Sequence, residues 1–430
     1  MLARTDLRGI PGSLRAALAP STAGGADGAV VASVAEIIAG VRRGGDAALV
    51  AYTERFDGVR PTALAVRPER RTAALAAVSP ALRAALESAR DEIGAWHEAQ
   101  RERGARRTTG GIEVHEAIVP VDRAGCYVPG GRACYPSSVL MTAVPARVAG
   151  VAEVVLCVPP GPDGEIPDAV LAAAELAGVD EIYCVGGAQA VAAMAYGTES
   201  VAPVDVIVGP GNAYVAEAKR QVFGTVGIDS LAGPSEVVVV ADDTVDPAWV
   251  AADLLAQAEH GPGGMATLVT WVPELADRVE LALDALLATT TRRAEAESTL
   301  RSGGRIVLVD GAERAVDAAN AIAPEHLQLM CRQASVLVTL VRNAGAVFVG
   351  PLGSAVLGDY AVGTNHVLPT GGSARFASAL RVDDFTKRVH IVHVTDEGFA
   401  RLAPVARVIA EEEGLLGHAD ALRIREPEDR

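Results

Sequence analysis

The sequence predicts an α/β protein made of two incomplete Rossmann-like lobes of parallel βαβ units, with small N- and C-terminal segments. Three observations predict it. From residue 137 onward, helix-like stretches alternate with short, continuous apolar runs, the pattern of strands buried on both faces. The chain is 50% hydrophobic but only 4% aromatic, so its cores are built from small aliphatic side chains. At 430 residues it also exceeds the size at which one hydrophobic core stops growing, which predicts more than one lobe.

Taken in order, residues 1–25 read as an N-terminal helical segment. "GAVVASVAEIIAGVRRGGDAALVAYTERF" has apolar residues at helical spacing and a break at Gly44-Gly45-Asp46. "ERRTAALAAVSPALRAALESARDEIGAWHEAQRER" continues as helix, with Ser79-Pro80 as a cap signal. "IEVHEAIVPVDRAGCYVP" is strand-like. Alternation follows: "SSVLMTAVPARVAGV" (helix), "EVVLCVPP" (strand), "IPDAVLAAAELAGV" (helix), "EIYCVGG" (strand), "AQAVAAMAYG" (helix), "PVDVIVGPG" (strand) and "NAYVAEAKRQVFG" (helix). A second set begins at "EVVVVAD" and runs through "MATLVTWV", "RIVLVD" and "AVFVG", with helices between them. The glycine-rich stretch 350–376 reads as a long loop, a common place for function. The expected division is a discontinuous first lobe (26–130 with 237–380), a second lobe (131–236) and a tail (381–430).

Net charge is −16, and no run of Lys or Arg offers a basic patch, which excludes a nucleic-acid binder. The N-terminus lacks an apolar h-region, and no segment reaches ~18 uninterrupted apolar residues, so neither export nor membrane insertion is expected. Five cysteines without C-x-x-C spacing suit a reducing compartment, and a cytoplasmic protein is expected.

"IAPEHLQLM" places Glu325 and His326 side by side in an apolar frame. Two readings fit: a helix start led by Pro324, or an acid–base pair in a dry site. In "DLLAQAEHGPGG", Gln257 and His260 lie three apart near a helix end and so share a face, where they can serve one divalent cation or cap the helix. Asp359 and His366 in "GDYAVGTNHVLPT", and Glu413 and His418 in "EEEGLLGHADAL", are further candidate ligands. "GGAQA" and "VGPGN" are glycine turns between strand and helix, suited to an anion or to close packing, although the full G-x-G-x-x-G is missing. Cys126 and Cys134 flank another glycine turn, as buried packing or as a thiol nucleophile. His97 reads as a surface side chain, His115 as unpartnered, and His390 and His393 as structural.

Together these blocks resemble the histidinol dehydrogenase family over nearly the full length. The motifs are "YVPGGRACYPSSVLM", "VGPGNAYVAEAK", "GIDSLAGPSEV", "AQAEH", "APEHLQL", "GDYAVGTNHVLPTGG" and "EGLLGHADALRIR", in the family's order. The resemblance implies a four-electron oxidation of L-histidinol to L-histidine through an aldehyde, with two NAD⁺ reduced, in histidine biosynthesis. It implies one Zn²⁺ per subunit on Gln257, His260, Asp359 and His418, with the metal positioning substrate. His326 is then the general base, and Glu325 helps activate water in the second half-reaction. Ser235 and Glu413 match substrate-contacting positions; Tyr127, Gln189 and Asn212 match positions that touch NAD⁺. The resemblance also implies a homodimer in which the tail completes the partner's site, so that His418 and Glu413 act in trans.

Overall fold

The computed structural model describes residues 2–18, 28–130, 134–261 and 263–426. These fall into two units, one from Met1–Gln100 with Val121–Phe385 and the other from Arg101–Pro120 with Thr386–Arg430.

The first unit contains two wholly parallel sheets. One has six strands in the order Ala3–Asp6, Gly304–Leu308, Met265–Thr270, Glu236–Ala241, His326–Met330 and Ala346–Val349. Its residues alternate between two buried faces, as the two-residue strand period requires. Val237, Val239, Leu268 and Ile306 join one core with the helices Pro247–Ala258 and Pro273–Leu287. Val238, Val240, Val307, Leu327 and Leu329 join the other with the helix Ala312–Ile322. Coverage on both sides is why these strands read as unbroken apolar runs.

The second sheet has five strands in the order Glu181–Cys184, Glu153–Val158, Arg123–Tyr127, Val206–Val208 and Gly227–Ile228. One face packs on the helices Pro136–Ala149 and Asp168–Leu176, the other on Gly187–Tyr196 and Ala213–Val222. The first strand in sequence sits in the middle; the next two add on one side of it and the last two on the other. This creates a switch point between Arg123–Tyr127 and Val206–Val208, the place where open α/β sheets bind ligands.

The second unit is an antiparallel sheet of Thr386–Val394, Ile112–Pro120 and Arg106–Thr109, followed by the helices Asp396–Glu412 and Leu416–Arg423.

Several boundaries differ from the sequence reading. The N-terminal segment begins with a strand, Ala3–Asp6, which extends the six-stranded sheet, and only Arg15–Leu18 is helical; 19–25 lie outside the described residues. Residues 28–98 do not join the six-stranded sheet. Helix Gly28–Asp57 buries Val34, Ile37, Val41 and Leu49 in a core shared with Val191 and Val215 of the five-stranded sheet's helices. Its expected break is real: Gly45 has φ 52° and ψ −137° inside the helix. Arg123–Tyr127 is the central strand of the second sheet rather than part of the first lobe. The tail strand pairs with Ile112–Pro120, so 101–120 belongs with the C-terminal residues. His97 is fully buried, because helix Pro80–Glu98 turns Leu86, Ile93 and His97 toward the same core. Its Nδ1 donates to the Ile93 carbonyl at 2.7 Å. Among the described residues no helix is long and apolar enough to cross a membrane.

Candidate active site

The amino ends of two adjacent strands of the six-stranded sheet carry Glu325 and His326 together with Glu236. His326 opens the strand His326–Met330, beside Glu236, which opens Glu236–Ala241. The chain enters from helix Ala312–Ile322 through Ala323, whose φ of 57° makes it the one non-glycine residue with positive φ among those described. Such a conformation costs about 1–3 kcal/mol and persists where surroundings over-determine it. Arg375 supplies part of that restraint by donating to the carbonyl oxygens of Ala321 and Ile322. Pro324 therefore follows a helix end and leads into a strand, which corrects the helix-start reading of "APEHL".

Glu325 and His326 are 5% and 4% exposed, so their charges need partners. Main-chain atoms of Glu236 supply two contacts. Its N–H donates to Glu325 Oε2 at 2.7 Å, and its carbonyl accepts from His326 Nδ1 at 3.2 Å. Ser235 adds a side-chain hydrogen bond to Glu325. On the other side His326 Nε2 lies 3.2 Å from Asp359 Oδ1, and the Phe348 ring stacks 6.1 Å away. Burial lowers the proton affinity of His326, but the bond to Asp359 and the charge of Glu325 outweigh it and push the ring up to about 9. Burial pushes Glu325 upward against the opposing pull of His326. Glu236 is raised to about 7, first by burial and then by the Glu325 charge. Burial thus raises both carboxyls beside the one imidazole.

Asp359 stands on a short helix, Ala355–Tyr360, inside the stretch expected to be loop throughout. His366 holds it: Nδ1 donates to the Asp359 carbonyl at 2.9 Å, and Nε2 accepts from Ser138 Oγ at 3.1 Å. That short helix packs on Pro247–Ala258, which carries Gln257 and ends just before His260. His260 Nδ1 donates to the Gln257 carbonyl at 3.2 Å, leaving Nε2 as the lone-pair nitrogen of a neutral ring. Gln257 is buried, with its side-chain nitrogen unpartnered among the described residues. Since amide oxygen and nitrogen are interchangeable by a flip, an oxygen donor is equally available there. Asp359 feels the charges of His326, His366 and His260, which together with its hydrogen bond keep its carboxyl low despite burial. This donor set of amide oxygen, imidazole nitrogen and carboxylate oxygen fits a divalent cation such as zinc. Among the described residues no three His, Cys, Asp or Glu side chains gather as a metal group by themselves. The set within this unit has only His260 and Asp359 of those types.

Glu413 and His418 lie in the second unit, Glu413 at the end of helix Asp396–Glu412 and His418 exposed on Leu416–Arg423. Cys126 is buried in the central strand, closed off from solvent, and burial pushes its thiol up to about 12.

The other sheet gathers Tyr127, Gln189 and the 209–212 turn. Tyr127 ends the central strand, and its hydroxyl accepts from Gly187 N at 3.1 Å. Gln189 is 1% exposed, and neither polar atom of its side chain has a partner among the described residues, an unusual cost for a group with no use. Asn212 caps helix Ala213–Val222 by accepting from Tyr214 N and Val215 N at 3.0 and 3.1 Å. Gly209 has φ 114°, and a Cβ there would meet the Tyr127 carbonyl oxygen at 2.1 Å. We expect Gly209→Ala to destabilise the protein by at least about 2 kcal/mol, read as a shift in the urea midpoint. An unchanged midpoint would contradict the close approach.

Sequence reasoning named Glu325, His326, Asp359, Gln257 and His260, and the structure places them in one unit. It missed Glu236, Ser138 and Phe348 as site-forming residues and gave His366 no positioning role. The "PSEV" sequence before an apolar strand was the available signal for Glu236.

A model of the family described as histidinol dehydrogenase matches residues 22–426. The histidinol dehydrogenase of Pseudomonas syringae pv. syringae is 48% identical over 403 residues, covering 93% of this chain and 90% of that protein. That of Rhizobium meliloti is 50% identical over 399 residues, covering 92% of each. The crystal structure of histidinol dehydrogenase from Elizabethkingia anophelis superposes with a TM-score of 0.92 at 36% identity, covering 99% of this chain and 98% of that one. The near-complete match in sequence and fold leads to one conclusion: the chain belongs to the histidinol dehydrogenase family of oxidoreductases.

Proposed function

We propose that the chain oxidises L-histidinol to L-histidine through L-histidinal, in two NAD⁺-dependent steps at the Glu325–His326 centre. The observation that carries this reading is the His326 ring, buried between the Glu236 carbonyl and the Asp359 carboxylate beside a buried Glu325. Gln257, His260, Asp359 and the partner's His418 would hold one zinc ion per subunit. When bound, zinc supplies a template that orients the substrate's nitrogen atoms, and NAD⁺ supplies the hydride acceptor. Tyr127, Gln189 and Asn212 would contact the nucleotide; Ser235 and the partner's Glu413 would contact the substrate.

In the first step His326 takes the hydroxyl proton as the substrate carbon is oxidised to the aldehyde. In the second, Glu325 helps remove a proton from the water that adds to the aldehyde, and oxidation of the resulting hydrate yields the carboxylate. The Glu236 carbonyl and the Phe348 face fix the imidazole plane in both. Asp359 would be one residue holding the cation, and as such a ligand it would hold the His326 ring proton less strongly, leaving the ring able to act as a base. Exclusion of bulk water by the apolar frame retains the aldehyde.

An exposed apolar stripe supports the dimeric reading. Leu402, Val405 and Ile409 lie on one side of helix Asp396–Glu412, 40%, 55% and 55% exposed. The cysteines are all free, as suits the cytoplasm.

The test is complementation between inactive chains. Subunits carrying His260→Ala and His418→Ala, mixed under conditions of subunit exchange, should regain roughly a quarter of wild-type activity, because heterodimers keep one intact shared site. No recovery in demonstrated heterodimers would refute sharing. Elemental analysis should find about one zinc per subunit, with affinity lowered at least ~10-fold in Asp359→Ala.

A further inference from the structure

Lys219 is among the largest fully buried side chains, 1% exposed in its ion pair with Asp229, itself 3% exposed. The lysine stands on helix Ala213–Val222, and Asp229 follows the edge strand Gly227–Ile228. Both converge on one residue. Lys219 Nζ donates to the Gly209 carbonyl at 3.0 Å, and Asp229 Oδ2 accepts from Gly209 N at 2.8 Å. The second carboxylate oxygen bonds Lys219 and accepts from Ser230 N at 2.6 Å. Both peptide groups of Gly209 are thus taken by a buried ion pair, at the point where the chain leaves strand Val206–Val208 and crosses against Tyr127.

A buried ion pair is a poor way to gain stability, because desolvation offsets much of the attraction, and apolar replacements are often neutral or better. Its value here is geometric. The helix that Asn212 caps is the helix that carries Lys219, so turn and helix are locked into one shape.

We propose that Lys219 and Asp229 are positioning residues that preform the 209–212 turn and thereby set the affinity for the dinucleotide. This rests on the reading above that NAD⁺ binds at Tyr127, Gln189 and Asn212. The clamp touches neither the acid–base pair nor the cation ligands, so its loss should act on the nucleotide selectively.

The experiment uses the Lys219→Met/Asp229→Asn double variant, which removes both charges while keeping an acceptor for Gly209 N. With the zinc-loaded enzyme, the KM for NAD⁺ and the Kd for NADH should each rise at least about fivefold. The KM for histidinol should stay within about twofold, and kcat at saturating NAD⁺ should fall less than about threefold. An unchanged KM for NAD⁺, or equal losses in all constants, overturns the proposal. Amide hydrogen exchange on the unmodified protein covers the case of a variant that does not fold. Without nucleotide, the Gly209 and Ser230 amides should exchange as slowly as those of Val206–Val208; loop-like rates overturn the clamp. Added NADH should protect 187–190 and 212–215. Absence of that protection refutes the nucleotide reading, and the inference with it, whereas protection with an unchanged KM in the double variant refutes the clamp alone.

Discussion

His326→Ala is expected to slow both oxidations by about 10²–10⁴, the usual contribution of a positioned general acid–base group. The ring bridges the neighbouring strand end and Asp359: Nδ1 to the Glu236 carbonyl, Nε2 to Asp359. Its removal leaves Glu325 and Asp359 without the imidazole that faces both, so the variant should also melt at a lower temperature. His326→Gln keeps a polar side chain of similar reach and should recover stability without recovering rate. Histidinol and histidinal are assayed separately as substrates for each variant. A loss below about tenfold in a folded variant would remove His326 from the chemistry.

Glu325→Gln is expected to separate the two half-reactions. The amide can still accept from Glu236 N, so the local fold should hold. It cannot take a proton from water, so histidinal oxidation should fall by about 10²-fold or more, with histidinol oxidation to the aldehyde reduced less than about tenfold. Released aldehyde, trapped with semicarbazide, measures the imbalance. Equal losses in both steps would contradict the division of labour between the two neighbours.

Much of the fold was legible because both parallel sheets are covered on two sides, which writes strands such as Glu236–Ala241 as unbroken apolar runs. The Gln257–His260 spacing was legible for a similar reason, since helical geometry is local. What failed was non-local. Nothing in the text around residue 97 says that Asn365 and Met141 pack near its helix, so a buried histidine looked like a surface one. Pro324 looked like a helix starter because the left-handed turn at Ala323 leaves no mark on a sequence where glycine is the usual signal. Glu236 joins the site through main-chain atoms, which carry no sequence signature, across 89 and 90 residues. His366 positions Asp359 through a backbone carbonyl and Ser138, 228 residues away.

The location of the pair also departs from the usual rule. Ligands of open α/β sheets sit beyond the carboxyl ends of strands. Tyr127 and the 209–212 turn obey this in the five-stranded sheet, whereas Glu236 and His326 occupy amino ends in the six-stranded one.

The most direct test of the central claim, that one cation-dependent centre carries out both oxidations, counts products. With zinc bound, each histidinol consumed should yield two NADH and one histidine, and thorough chelation should abolish both until zinc is restored. One NADH per histidinol with aldehyde as the end product, or two NADH from rigorously metal-free protein, would contradict it.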